Sequence, residues 1–241
     1  MNDIPTADLF GRTERLVGGE AMQRFATARV LLFGVGGVGS WCAEALIRSG
    51  IGHLTMVDPD NVDPSNINRQ LPALTTTVGR PKVEVLRERL LQVNPVAEIR
   101  ACQEHFSADT SSCFELSSYN YVVDAIDSIQ DKLELILLCT QKQPANQQPL
   151  PAFFSSMGAA RKMDPTQVRV SEFWKVDGCP LAASLRKRMR RAQRYPGRKF
   201  QCVWSPERIE TAQTGGTLMS VTAAFGLTLA SLVLQDLVQQ R

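Results

Sequence analysis

The chain has 241 residues, of which 44% are hydrophobic and 21% are charged, a composition that allows a full apolar core and excludes a disordered or fibrous protein. Its six cysteines form no CxxC pair, which argues against a structural zinc site and for reduced thiols in the cytoplasm. Its first residues lack the basic and apolar regions of a secretory signal. The net charge of +3 conceals a local excess of cations, because residues 178–206 contain eight basic residues and no acidic one, as a site for a polyanion would.

Predicted strands and helices alternate along the chain. After one or two helical turns within residues 14–28, short apolar runs predict strands over 29–34, 53–58, 98–103, 119–127, 151–156 and 167–173. Helices are predicted over 38–49, 81–93 and 128–142, and a basic helix over 180–194. This order is typical of right-handed βαβ units, so we predict an α/β fold, a Rossmann-like, mostly parallel sheet with helices on both faces.

We expect a single domain over residues 1–241 with two functional halves. Residues 29–142 would bind the nucleotide, and residues 150–241 would bind the substrate and form a dimer interface. Residues 214–235 carry no charge and are long enough to span a bilayer. Their Ser, Thr and Gly content and the lack of an aromatic belt favour a core or dimer-interface helix without membrane association. Residues 196–214 show little periodicity and predict an irregular loop.

A glycine-rich turn joins the first strand to the first long helix. Gly34, Gly36 and Gly39 have the spacing G-x-G-x-x-G, and Gly37 lies between them. The first glycine of this motif permits the turn, the second lets a phosphate approach the backbone, and the third lets helix and strand pack closely. Asp58 ends the second strand, nineteen residues after Gly39, where it can bind a ribose hydroxyl. The motif predicts a bound nucleotide without saying which one.

Charged residues beyond the second and fourth strands narrow the choice of nucleotide. Arg69, in the segment NINRQ, and Lys82 place two cations just beyond the second strand. A triphosphate that loses pyrophosphate needs such cations, whereas hydride transfer does not. Asp124 and Asp127 lie at the end of the fourth strand, at the edge where open α/β sheets bind ligands. A carboxylate there can hold Mg²⁺ against phosphate oxygens.

The first half of the chain closely resembles the ubiquitin-activating-enzyme-like adenylating enzymes, whose fold is shared with the activators of molybdopterin and thiamine sulfur carriers. The resemblance covers about residues 10–130 and is carried by GVGGVGSWCAEALIRSGIGHLTMVDPDNVDPSNINRQ, VGRPKVEVLRERLLQVNP and VVDAIDS. It implies that the nucleotide is ATP. It also implies that Asp58 holds the ribose and that Asn66, Arg69 and Lys82 surround the triphosphate.

The same resemblance assigns two further groups. It implies that Asp127 is the magnesium-linked carboxylate and that Asp124 is structural. It also implies a homodimer in which an N-terminal arginine of one subunit reaches the ATP of the other. An ungapped comparison back from the segment GGEAM assigns this role to Arg12, with Arg15 as the alternative.

The second half of the chain is similar to one branch of this superfamily, the tRNA threonylcarbamoyladenosine dehydratases. The segments SSMGAARKMDPTQVRVSEFWK, PLAASLRKRMRR and SVTAAFGLTLASLVLQDL carry this similarity. It implies that the threonine carboxylate on an anticodon-loop adenosine is adenylated and then captured by the neighbouring carbamoyl group, with loss of AMP. Such an intramolecular acceptor requires no catalytic cysteine, and Cys179 is only a weak candidate for one.

The predicted basic helix fits a tRNA substrate independently of any resemblance, the alternative being a solvated basic face with no binding role. Arg186, Arg190 and Arg194 follow one another at intervals of four residues, with Lys187 and Arg191 beside them. Phosphate contacts by such a cluster give salt-dependent binding. The aromatic residues that follow, which we expect to stack on unpaired bases, are Tyr195, Phe200 and Trp204.

Three rival functions remain open on the sequence. An adenylating activator of a ubiquitin-like sulfur carrier would bind a protein ending in Gly-Gly, although the two zinc-binding CxxC pairs usual in such enzymes are absent. An NAD-dependent dehydrogenase would leave Arg69 and Lys82 unexplained. A pseudoenzyme would bind tRNA without turnover, against which Arg69, Lys82 and Asp127 count. A sulfur-transfer partner protein is also possible.

Overall fold

The computed structural model describes residues 6–143, 149–208 and 216–240. Its strands are β1 (Arg29–Phe33), β2 (His53–Val57), β3 (Glu98–Cys102), β4 (Tyr121–Asp124), β5 (Ala152–Ser156), β6 (Arg169–Glu172) and β7 (Gln201–Trp204). Its α-helices are α1 (Thr6–Val17), α2 (Gly19–Thr27), α3 (Gly39–Arg48), α4 (Lys82–Val93), α5 (Ile129–Thr140), α6 (Pro180–Ala192) and α7 (Met219–Gln239). The polar loop predicted over residues 143–149 lies largely outside the described residues.

The seven strands form one sheet in the order β3-β2-β1-β4-β5-β7-β6. All neighbouring strands are parallel except β6, which runs antiparallel to β7 at one edge. The strand order reverses between β1 and β4, and such a switch point opens a crevice at the carboxyl ends of the strands. The predicted α/β fold with a mostly parallel sheet is therefore confirmed.

Helices cover both faces of the sheet, which explains why the central strands are apolar throughout. Along β1, Val30 and Leu32 pack with α2, α3, α4 and α7, while Leu31 and Phe33 pack on the opposite face with α5 and α6. All four of these side chains are fully buried. Helix α3 packs directly against α7, so the helix that follows the glycine-rich turn and the last helix of the chain share one layer.

Helix α7 is a core helix, as the sequence predicts. By length and composition it could cross a membrane, but half of its most apolar stretch is buried within the fold. Phe225, Leu229 and Val233 are fully buried. Leu218, Met219 and Leu227 remain exposed on the outer side.

Two predictions about secondary structure were wrong. Residues 201–204 form the strand β7 inside the segment predicted to be an irregular loop, and they pair with both β5 and β6. Four residues are too few for a periodic pattern to show, so the sheet partners rather than the local sequence determine this strand. The one or two helical turns predicted near the N-terminus are two longer helices, α1 and α2.

Candidate nucleotide-binding site

A cavity of about 790 Å³ opens at the carboxyl edge of the sheet, beside the switch point between β1 and β4. Its walls come from the ends of β1, β2 and β5, from the residues that follow β4, from the glycine-rich turn before α3 and from the first turns of α6. Both halves of the chain therefore line one cavity. The predicted site residues in its wall are Gly34, Gly36, Gly37, Asp58, Arg69, Lys82 and Asp127.

The glycine-rich turn is built as its spacing requires. Gly34 has a φ of 85°, and a Cβ atom on it would lie 2.7 Å from the carbonyl oxygen of Ala125. Gly39 does not line the cavity, but a Cβ on it would overlap the carbonyl oxygen of Gly34, so the close packing of the turn requires glycine there. Gly36 and Gly37 face the cavity at the start of α3. The positive end of that helix thus points at the space where a phosphate would bind.

Asp58 connects the glycine turn to the end of β2. One carboxylate oxygen accepts a hydrogen bond from the N–H of Val35 at 2.8 Å, and the other accepts from the N–H of Asp60 at 3.0 Å. The side chain is only 6% exposed. Burial raises the pKa of Asp58 above its usual value, while the Val35 N–H and the charge of Lys82 oppose that rise. The carboxylate is held rigidly at the cavity wall, where it can accept a hydrogen bond from a ribose hydroxyl.

The two predicted cations both line this cavity. The Lys82 Nζ is buried and lies 2.6 Å from the Oδ2 of Asp60. The Arg69 Nη1 donates to the carbonyl oxygen of Ser65 at 2.8 Å and to the Oδ1 of Asn68 at 2.9 Å. Both positive charges can therefore turn toward a polyphosphate by exchanging partners that are weak or solvent-exposed.

Asn66 has a different place from the predicted one. It is buried and absent from the cavity wall. Its Oδ1 accepts from the N–H of Asp63 in a reciprocal capping box, and its carbonyl oxygen accepts from the N–H groups of Arg69 and Gln70. Asn66 thus positions the turn that carries Arg69, and it does not line the cavity in which the triphosphate is expected.

The two aspartates beyond β4 have separate environments. Asp127 is exposed at the cavity wall, where a Mg²⁺ ion could reach it. Asp124 is fully buried, and its Oδ2 accepts from the Lys132 Nζ at 2.7 Å and from the Ser155 Oγ at 2.6 Å. These contacts give Asp124 the structural role that the sequence resemblance implies. Lys132, also fully buried, was not singled out from the sequence.

Gln70 is a residue of this site that the sequence interpretation missed. It is 7% exposed, lies in the cavity wall, and its Nε2 is 3.6 Å from the position of a Cβ on Gly36. Its Oε1 is buried and has no hydrogen-bond partner among the described residues. An unsatisfied buried acceptor costs about 1–3 kcal/mol, so this oxygen fits a ligand that donates a hydrogen bond. The sequence signal that could have identified Gln70 is its position in the segment NINRQ, directly after Arg69.

Gly37 sets the position of Arg69, and alanine at this position is expected to impair the site. A Cβ on Gly37 would lie 3.2 Å from the Cγ and 3.3 Å from the Cδ of Arg69. The arginine must then shift by a few tenths of an ångström, which predicts a turnover about tenfold slower with little loss of stability. Steady-state kinetics would measure this. Gly19→Ala, where the new Cβ meets only the Glu14 Oε1 at 3.5 Å, is the matched control, and equal rates for both variants would contradict the prediction.

The cations of the predicted basic helix divide into two groups. Lys187, Arg190 and Arg191 are exposed on α6. Arg186 instead donates to the carbonyl oxygens of Phe173 and Val176, and its guanidinium lies 5.8 Å from the Phe173 ring centroid. Arg194 pairs through two 2.8 Å hydrogen bonds with Glu134. It lies beyond the helix, which ends at Ala192 rather than at residue 194.

Two of the predicted base-stacking residues are not available for stacking. Phe200 and Trp204 are 5% and 6% exposed, and both belong to the core between the sheet and α6. Tyr195 is 47% exposed. The sequence pattern missed this difference because strand β7 was not predicted. Phe200 directly precedes β7, and Trp204 is its last residue.

Two other candidates lie outside the cavity. Arg12 is exposed on α1 and absent from the cavity wall, so it has no contact with the nucleotide site of its own chain. Cys179 is 2% exposed at the start of α6 rather than in an open loop. A buried thiol there is poorly placed to accept an acyl group from solvent.

These features define the chain as an α/β protein with a nucleotide site at the carboxyl edge of its sheet. The model of the ThiF family matches residues 10–240, and the chain belongs to this family.

The similarity to particular family members extends over most of the chain. The tRNA threonylcarbamoyladenosine dehydratase of Escherichia coli K12 is 39% identical, with a match that covers 89% of this chain and 79% of the relative. The crystal structure of E. coli tRNA N6-threonylcarbamoyladenosine dehydratase in complex with ATP is 38% identical with a TM-score of 0.85, and covers 96% of this chain and 94% of that one. The molybdopterin-synthase adenylyltransferase of Salmonella typhimurium, at 33% identity, matches 52% of this chain and 50% of its own length.

Proposed function

We propose that this protein is an ATP-dependent tRNA threonylcarbamoyladenosine dehydratase. The observation that carries the proposal is the path of α6. Its first turns, with Pro180, Leu181 and Ser184, form part of the nucleotide cavity wall, and its later turns expose Lys187, Arg190 and Arg191. One helix thus links the site of ATP chemistry to a surface suited to RNA phosphates. The dehydratase similarity over nearly the whole chain supports the same function.

In the reaction we propose, the threonine carboxylate of the modified adenosine attacks the α-phosphate of ATP and pyrophosphate leaves. The enzyme contributes position and charge rather than a covalent nucleophile. Asp58 would hold the ribose, and Gly36 and Gly37 would let the phosphates approach the start of α3. Arg69 and Lys82 would neutralise the charge that develops on the departing pyrophosphate.

Asp127 is the residue we assign to Mg²⁺. Its exposed carboxylate at the cavity wall is the kind of single protein ligand that magnesium uses when phosphates supply the others. The bound ion would supply charge neutralisation at the phosphate oxygens. Asp124 is excluded from this role because Lys132 and Ser155 already occupy its Oδ2.

The second step we propose is intramolecular. The carbamoyl group attacks the activated acyl carbon, the bond to the phosphate oxygen breaks, and AMP leaves with one oxygen of the original carboxylate. The carbamoyl group loses a proton, so the nucleoside loses the elements of one water. This step needs no protein thiol, in agreement with the burial of Cys179.

We also propose a homodimer in the cytoplasm. Exposed apolar side chains on α1 and on the outer side of α7, among them Leu16 at 84% and Leu227 at 48%, support a subunit interface there. In such a dimer Arg12 would reach the ATP of the partner subunit. All six cysteines are free, as reduced cytoplasmic thiols are. A sulfur-transfer partner protein and the lack of membrane association remain parts of the proposal.

The proposed function is tested by asking which molecule triggers AMP formation from Mg-ATP. We expect AMP to appear when tRNA carrying the threonylcarbamoyl modification is added, and not with unmodified tRNA. AMP formation or pyrophosphate exchange that needs a carrier protein ending in Gly-Gly, with no response to modified tRNA, would instead support the sulfur-carrier activator.

Neutralising the exposed face of α6 is expected to weaken tRNA binding and reduce its salt dependence. In the triple variant with Lys187, Arg190 and Arg191 changed to alanine, three lost phosphate contacts predict a slope of log K against log salt smaller by about two to three. Filter binding over a salt series measures this, and ATP affinity should not change. Alanine at Arg48, Arg80 and Arg100, which are exposed elsewhere, is the charge-matched control. The same slope in both triple variants would contradict the assignment of α6.

A further inference from the structure

Two exposed aromatic side chains face each other beside α6. Among the described residues, Trp174 and Tyr195 are the aromatic side chains that are exposed, at 44% and 47%. Their ring centroids are 6.4 Å apart, with an angle of 43° between the ring planes. Single exposed apolar residues are common on protein surfaces. A pair that forms one patch is a different feature, because such patches mark interaction sites.

One ring of the pair, that of Trp174, packs on a buried aromatic cluster. The Trp174 ring packs edge-on against Phe173 at 5.2 Å, and Phe173 stacks on Phe200 at 5.1 Å. The backbone N–H of Trp174 donates to the Oε2 of Glu172 at 3.2 Å. On the other side, the left-handed residue Gln193 ends α6 and turns the chain toward Tyr195. The Trp174 ring is therefore held in place before any ligand binds, and the Tyr195 ring rests beside it, which lowers the entropy cost of binding.

The charges around the pair are mainly positive. Lys175 follows Trp174 and is exposed, and Arg190 and Arg191 are exposed on the last turn of α6. The nearby acidic residues are Glu172, which caps the Trp174 backbone, and Asp177. Aromatic rings among cations are the combination that proteins use to bind unpaired RNA bases together with their phosphates.

We propose that Trp174 and Tyr195 form a stacking platform for unpaired bases of the RNA substrate, next to the modified nucleoside. This inference rests on the proposed function. Ser184 lines the nucleotide cavity, and the end of α6 at Ala192 lies about 12 Å further along the helix axis. An RNA loop with one modified nucleoside in the cavity can extend over this distance, so the platform would hold neighbouring loop bases and select a loop over a duplex.

The test compares the binding of an anticodon stem–loop hairpin with that of a blunt RNA duplex of equal length. Loss of one stacked base predicts about tenfold weaker hairpin binding for Trp174→Ala and for Tyr195→Ala, with duplex binding unchanged. The salt slope should stay the same because no charge is altered. Trp174→Phe should keep most of the affinity. Hairpin binding should also quench the fluorescence of the native protein more than that of Trp174→Phe, which retains Trp41 and Trp204.

The other outcomes overturn the inference in distinguishable ways. A variant with both Trp174→Ala and Tyr195→Ala provides the decisive comparison. If it turns over modified tRNA at the native rate and binds the hairpin with unchanged affinity, the platform is refuted and the proposed function stays intact. A changed sedimentation mass in that variant, again with unchanged affinity, would identify the pair as a contact between copies of the chain. A native protein that neither binds the hairpin nor dehydrates modified tRNA would refute both proposals.

Discussion

Alanine in place of Arg69 is expected to lower kcat with modified tRNA about 10²–10³-fold, because a donor that stabilises developing phosphate charge is worth that much in other enzymes. The side chain lies in the cavity wall, and the hydrogen bonds of its guanidinium, within the described part of the chain, go to Ser65 and Asn68. Its loss should therefore leave the fold intact. Asp127→Asn is expected to show a similar loss of kcat, which added Mg²⁺ would relieve in part.

Matched variants separate this effect from a general loss of charge. Arg80 is exposed, pairs with Glu88 and is absent from the cavity wall, so Arg80→Ala should keep normal kcat. Asp109 is exposed and likewise absent from the cavity wall, so Asp109→Asn is the matched control for Asp127→Asn. Single-turnover kinetics under saturating ATP would measure the chemical steps. Near-native rates for Arg69→Ala or Asp127→Asn would refute the assigned ATP site.

Methionine in place of Lys132 is expected to lower the free energy of unfolding by about 3–5 kcal/mol, since it leaves the Asp124 carboxylate buried without its cation. Both side chains are fully buried, and their Nζ–Oδ2 distance is 2.7 Å. The same carboxylate also accepts from the N–H of Ile126 at the cavity wall. Breaking the pair should therefore loosen the connection between β4 and α5 that carries Asp127.

Denaturant titration with tRNA and ATP absent would measure this loss. Lys187, which is also on an α-helix but is exposed, provides the control, because Lys187→Met should change the free energy of unfolding by no more than about 0.5 kcal/mol. The double variant Asp124→Asn with Lys132→Met should recover part of the stability, since no unpaired charge remains buried. A Lys132→Met protein as stable as the native one would show that the buried pair has no such role.

The sequence was sufficient for the parts of the fold that depend on local patterns. The strands β1 to β5 each coincide with a predicted apolar run. The turn from Gly34 to Gly39 has the predicted shape because only glycine fits the positive φ of Gly34 and the close approaches at Gly34 and Gly39. Asp58, Arg69 and Lys82 were predicted to share a site because all three come at or just beyond the carboxyl end of the second strand. The cavity wall contains all three.

The features that depend on tertiary partners could not be predicted in the same way. The Arg186 side chain belongs to the basic pattern of α6, yet it binds the carbonyl oxygens of Phe173 and Val176, which only folding brings near it. The burial of Phe200 and Trp204 likewise results from their place next to β5 and β6. Lys132 has no sequence signal at all, because a lysine on a helix is usually solvated.

The central claim, that the protein adenylates and cyclises the threonylcarbamoyl group of tRNA, is tested most directly with modified tRNA whose threonine carboxylate carries ¹⁸O. This tRNA is incubated with Mg-ATP and the purified protein, and the digested nucleosides and AMP are then analysed by mass spectrometry. The account predicts that the modified nucleoside loses one water and that one labelled oxygen appears in AMP. An unchanged nucleoside with unlabelled AMP, formed only when a Gly-Gly-ended carrier is present, would contradict it.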